Sequence, residues 1–217
     1  MKTDTKLQSG VLTELNWWPN VNAAHIGVAA NNGVITLTGQ VTHYAEKTAA
    51  EDTAKGVYGV QGVANDIEVT LPGSGKHSDQ DIAQAALSAL KWDFEVPGDK
   101  VKVVVKDGWI TLDGTVDWQY QKDAAGRCVR YLMGVKWVNN LIAIKPTAKW
   151  IDVTNKIEDA FRRNANLEAR CISVSTSDGS VTLSGSVSSW PERDQAVSAA
   201  WAAPGVNSVH NELTVST

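Results

Sequence analysis

Apolar residues return at every fourth position in three separate stretches: Leu7, Val11 and Leu15; Ile82, Ala86 and Leu90; Val153, Ile157 and Phe161. That spacing is one stripe of an amphipathic helix. After each stripe the period shortens. "HIGVA", "VKVVV" and "CISVST" alternate, and so do "VITLTGQV" and its two copies, which predicts strands with one buried and one wet face. Asn32-Gly33, Asp107-Gly108 and Asp178-Gly179 separate the paired strands. Such dipeptides favour hairpin turns, because glycine accepts the positive φ that a tight turn needs. A second helix follows, striped with small residues: Ala50 and Ala54, Ala125 and Val129, Ala196 and Ala200. Small side chains let a helix lie close to a sheet. A last strand is read in "VANDIEVT", "VNNLIAI" and "VHNELTV". Val21, Val96 and Leu167 share one position between the first helix and the first strand.

The elements keep a fixed register. Gly33, Gly108 and Gly179 are each followed six residues on by Gly39, Gly114 and Gly185, and twenty further by Gly59, Gly134 and Gly205. Asn65, Asn140 and Asn211 come six residues later still, and are expected to hydrogen-bond local backbone in the last connection. Only the linkers vary. The chain is therefore a tandem triplication, with domains at 1–72, 73–147 and 148–217. The predicted class is α+β: three small αββαβ units, each with two helices on one face of a three-stranded mixed sheet. Turn geometry accounts for all nine recurring glycines.

The motif "GVITLTGQV … GVQGVANDI", with "GWITLDGTV … GVKWVNNLI" and "GSVTLSGSV … GVNSVHNEL", resembles the BON (bacterial OsmY and nodulation) domain. That pattern is G-x-V-x-L-x-G-x-V, an Ala-rich helix, then G-V-x-x-V-x-N-x-[IL]. Trp109 and Ser180 depart from it by standing where a small apolar residue is usual. The resemblance implies an attachment module tied to phospholipid surfaces and osmotic or envelope stress, with potassium sensing in one domain combination. Most such proteins are exported. The start "MKTDTKLQSGVLTEL" has no apolar signal segment, so a cytoplasmic, membrane-peripheral protein is expected if that start is native, and a periplasmic one if it is not.

Composition narrows the function classes. A net charge of -4 argues against a dedicated nucleic-acid partner, and no apolar run reaches the length of a transmembrane segment. The four histidines, His25, His43, His77 and His210, have no accompanying nucleophile or paired acid, so no enzyme is expected. No ligand spacing for zinc or calcium occurs, and no cofactor is called for. The Gly33–Gly39 interval spans a strand, whereas a phosphate loop opens a helix. Cys128 and Cys171 fall in different repeats and read as inert thiols.

Nine tryptophans in 217 residues are the unusual feature. Trp17 and Trp92 share a repeat position at the end of the first helix, where the third copy has Arg163. Trp18 adjoins the first, Trp118 precedes a second helix, and Trp137 follows one. Such side chains suit a membrane or protein interface, or fill gaps between small domains. The middle segment alone has a basic excess, 10 basic against 9 acidic side chains. Lys100, Lys102 and Lys106 alternate along a strand and so share its solvent face, and Arg127 and Arg130 add to them. These ten residues are the candidate contacts for a phospholipid surface or a protein partner, self-association into a scaffold or filament included. Binding of a small ion such as potassium through backbone carbonyls leaves no sequence mark.

Overall fold

The computed structural model describes residues 3–71, 77–145, 153–163 and 171–215. In the first repeat α1 (Asp4–Trp17), β1 (Ile26–Asn31), β2 (Val34–Val41), α2 (Tyr44–Gly56) and β3 (Gly62–Val69) follow in order. The second runs α3 (Asp79–Trp92), β4 (Val101–Lys106), β5 (Trp109–Val116), α4 (Gln119–Arg130), β6 (Trp137–Asn140) and β7 (Ala143–Ile144). The third is α5 (Val153–Arg163), β8 (Ile172–Ser177), β9 (Ser180–Val187), α6 (Trp190–Trp201) and β10 (Ser208–Val215). The α+β class with three mixed sheets matches the sequence expectation.

In each sheet the second strand of the hairpin is central. It pairs antiparallel with the first strand and parallel with the last, which returns by the helical crossover. The hairpins close in register, Asn31 opposite Val34, Lys106 opposite Trp109 and Ser177 opposite Ser180. The intervening Asn32, Asp107 and Asp178 have φ near 50°, and the glycines after them φ near 80°. Two successive left-handed residues make a turn whose twist suits the strands. In the middle repeat the last strand breaks after Asn140: Leu141 N–H still reaches Leu112 O at 2.8 Å, and β7 resumes pairing with β5.

Three small cores result. Leu7, Val11 and Leu15 of α1 are buried against Ile35 and Leu37 of β2 and the Ala50–Ala54 stripe of α2. The third repeat repeats this with Val153, Ile157, Phe161, Val181, Leu183, Ala196 and Ala200. The alanines are wholly buried, so the helix does sit close to the sheet. Leu167 lies outside the described residues.

Side chains then tie the elements together. The recurring asparagine is in the last strand, not in a connection as its neighbours had implied. Asn65 Nδ2 donates to Lys47 O at 3.1 Å, Asn140 Nδ2 to Lys122 O at 2.7 Å, and each Oδ1 accepts the amide two residues on. Strand and crossover helix are thereby fastened. A second fastening left no signal in the motif. Asp4 accepts from the amides of Asn32 and Gly33 at 3.0 and 3.1 Å, and Asp79 from those of Asp107 and Gly108 at 2.8 and 2.9 Å. The first turn of one helix thus clamps the hairpin with charge-assisted bonds. Trp150 occupies the matching place in the third repeat. α3 is also closed by a capping box between Ser78 and Asp81.

The first two repeats form one compact unit, Met1–Val116 with Tyr120–Ala143. The third, Ile144–Thr217 with Asp117–Gln119, forms another.

Candidate functional site

The sequence candidates separate into distinct places. Trp17 and Trp92 end their helices with 79% and 87% of their surface exposed. Just past Trp92, Phe94 is 95% exposed, and sequence reasoning missed it although it stands in the same "KWDFEV" segment. This loop is braced. Arg127 on α4 bonds Glu95 at 2.7 Å, Cys128 Sγ donates to Asp93 Oδ2 at 2.9 Å, and Asp93 Oδ1 accepts from Glu95 N–H. Hydrogen bonds from Cys128 and the Glu95 amide hold the Asp93 carboxyl below its ordinary range. Two large aromatics are therefore held out into solvent on a fixed support.

The bracing also fixes the thiol. Burial, then the bond to Asp93 and its charge, push Cys128 up to about 12. Cys128 therefore stays protonated and is expected to resist thiol reagents at pH 8 in the folded protein, while exposed Cys171 is modified. The folded-state value is raised, so the contribution of this thiol to stability is complete below pH 9 and is lost as pH rises toward 12. Timed thiol counting in buffer and in urea checks both statements; equal rates at both cysteines would refute the first.

Trp137 does a different job. Its ring lies 5.9 Å from that of Trp109, inclined at 34°, and 5.6 Å from that of Tyr44 in the first repeat. Lys47 Nζ lies 5.2 Å over the Trp137 ring while donating to Ile67 O at 2.7 Å. Burial raises the Tyr44 hydroxyl above the usual phenol range, opposed by the Arg130 charge and a hydrogen bond to Val138 backbone. These contacts join repeats one and two. Tyr44 and Lys47 had no partner visible in sequence, since their role depends on where the second repeat docks. Trp18 donates to Glu14 at 3.3 Å and lines a groove of about 380 Å³ with Asp52, Arg130 and Tyr131. A second groove, about 390 Å³, lies between Tyr44, Arg127 and Arg130. Trp118 is half-buried and belongs to the unit of the third repeat.

The basic candidates do not converge. Lys102 and Lys106 are exposed on β4, but Lys100 ends the short 3₁₀ turn that precedes the strand. Six residues of extended chain put Lys100 and Lys106 roughly 20 Å apart. Arg127 and Arg130 are on α4, in the helical layer, and Arg127 is paired with Glu95. Among the described residues no group of three His, Cys, Asp or Glu side chains could hold a metal ion.

Residues 3–70, 78–146 and 152–217 each match the BON domain. The chain belongs to the BON-domain family. Over 146 residues it is 34% identical to osmotically-inducible protein Y of Escherichia coli (strain K12), covering 65% of this chain and 73% of that one. Over 121 residues it is 34% identical to the 21 kDa hemolysin of Actinobacillus pleuropneumoniae, covering 55% of this chain and 62% of that protein. A solved structure of CdsD, a structural protein of the type III secretion system of Chlamydia trachomatis, aligns over 97% of this chain and 92% of its own. Its identity is 14% and its TM-score 0.25, too low to bear on the arrangement of BON repeats. No described helix is long and apolar enough to cross a membrane.

Proposed function

We propose that the protein is a non-enzymatic, stress-associated attachment module whose middle BON domain docks on anionic phospholipid. Domain limits at 1–72, 73–147 and 148–217 belong to the same reading. The observation that carries it is the braced loop with Trp92 and Phe94 exposed by 87% and 95%. Large aromatics at a helix end partition to the level of lipid headgroups, and a loop already held in shape loses little entropy on insertion. Lys91, Lys100 and Lys102 lie next to the tip in sequence, and each basic group near an anionic surface contributes about 1 kcal/mol. Support for the stress association comes from the osmotically-inducible relative, and the hemolysin is consistent with a membrane target. The reading is non-catalytic because the recurring residues have structural tasks: six of the nine glycines set turns and three let strand backbones approach closely, Asn65 and Asn140 tie strand to helix, and Asp4 and Asp79 clamp hairpins.

Vesicle co-sedimentation tests this. Binding is expected with vesicles containing phosphatidylglycerol, to weaken as salt rises, and to be absent with phosphatidylcholine alone. Removing either Trp92 or Phe94 (to alanine) should lower partitioning about tenfold, while Trp17→Ala has a smaller effect. Failure to bind acidic vesicles at low salt would sink the proposal.

A further inference from the structure

The three sheets each leave one face uncovered by helices, and those faces differ. In the middle repeat the face carries Lys102, Val104 and Lys106 on β4, then Trp109 and Trp137 side by side on β5 and β6. Val104 is 62% exposed and Trp109 55%. The matched positions in the first repeat are Gly27, Ala29 and Asn31, with Val34 opposite Gly62. Further along β3 that face bears Ala64, Asp66 and Glu68, the two acids exposed. In the third repeat the matched positions are Ser173, Ser175, Ser177, Ser180 and Ser208. One face is therefore bulky, with Lys102 and Lys106 against a single acid, Asp113 opposite Lys102; another is small, apolar and acidic; and the third is lined mostly with hydroxyls, with His210 and Glu212 further along β10.

Packed sheets keep about 10 Å between them, so large side chains on one face need small ones opposite. We infer that the open face of the middle repeat docks on the open face of the first repeat of a second copy of this chain. Trp109 and Val104 fill the space that Gly27, Ala29, Gly62 and Ala64 leave, and Lys102 and Lys106 meet Asp66 and Glu68. The serine face of the third repeat is the poorer acceptor, because its hydroxyls lose water without gaining partners. Within one chain the first two repeats meet through Tyr44, Lys47 and Trp137, so α2 covers the Trp137 rim of the middle face, while Val104 and Trp109 on that face stay exposed. Trp137, gripped by that contact, supports the Trp109 ring in its exposed position. Donor and acceptor faces are different surfaces, so the contact is head-to-tail and propagates into short chains. A three-stranded face of about 14 by 20 Å is below the size of a standard interface, so association is weak and concentration-dependent.

Sedimentation velocity from about 1 to about 500 μM tests it, a range that spans weak protein contacts. The wild-type weight-average mass should climb past that of a dimer. Trp109→Ser, which places the third repeat's residue on the donor face, should leave a monomer, and so should Ala29→Arg on the acceptor face. Both changes are on exposed surface, and circular dichroism confirms the fold; Ala64→Lys replaces Ala29→Arg should the latter unfold. Mixed together, the two monomeric variants should form a 1:1 dimer and nothing larger, since each keeps one intact face. A wild-type monomer at the highest concentration, association that survives both substitutions, or a mixture that remains monomeric would each overturn the inference.

Discussion

Replacing Gly114 with alanine is expected to remove at least about 3 kcal/mol of stability and to unfold the middle repeat. Gly114 lies on β5 opposite Val101, with φ of 141°, a conformation closed to residues with a Cβ. A methyl group there points into the carbonyl oxygen of Lys100. That atom is backbone at the end of the 3₁₀ turn just before β4, so no side-chain rotation relieves the clash. The same approach recurs at Gly39 against His25 O and at Gly185 against Cys171 O, so these three glycines sit within paired strands and are not fixed by turns as the sequence had suggested for all nine. Three independent occurrences explain why this glycine keeps its place while the residues around it vary. Urea unfolding followed by tryptophan fluorescence measures the effect. A loss below about 1 kcal/mol would mean that the strand ends move apart easily, contrary to the packing described.

Phe161→Ala is the second large effect, at about 3–5 kcal/mol. Among the described residues Phe161 is the largest wholly buried side chain, and it closes the third core with Ile157, Val181 and Leu183. A unit of this size has only a few kcal/mol of net stability, so the loss approaches all of it. The third repeat forms a unit with its own core, and the expected calorimetric trace is therefore selective: one transition is lost or strongly lowered, and that of the first two repeats is kept. Equal lowering of every transition would contradict separate units.

Much of this fold could be read directly from the residues. Strict spacing across three copies marked the helical stripes, and Asn-Gly and Asp-Gly located hairpins whose φ values are indeed left-handed. Those signals are local, set by a few successive backbone angles. Asn65 was harder to place. Its position near a turn suggested a local bond, whereas the amide spans to Lys47, 18 residues away, across a packing that sequence does not display. Lys100 looked like part of an alternating strand because a 3₁₀ turn has no distinct pattern over three residues. Of the tryptophans, only position along the helix could be inferred. That Trp92 stands free while Trp137 grips Tyr44 depends on how two repeats dock. The aspartate clamps were invisible for another reason: Asp4 and Asp79 are absent from the third copy, so they fall outside the shared motif.

Neighbours of the same fold and strand pattern on one chain carry a hazard during synthesis. Each central strand offers its free edge to any parallel partner of the right pattern, and a last strand from the wrong repeat would satisfy most of the same hydrogen bonds. The interruption after Asn140 breaks that equivalence. β3 and β10 pair along eight residues, whereas the middle sheet pairs as four plus two, so exchanged last strands would match their new partners less well. A local irregularity thereby acts as a molecular key, penalising exchanged strands and favouring correct partition of a threefold chain.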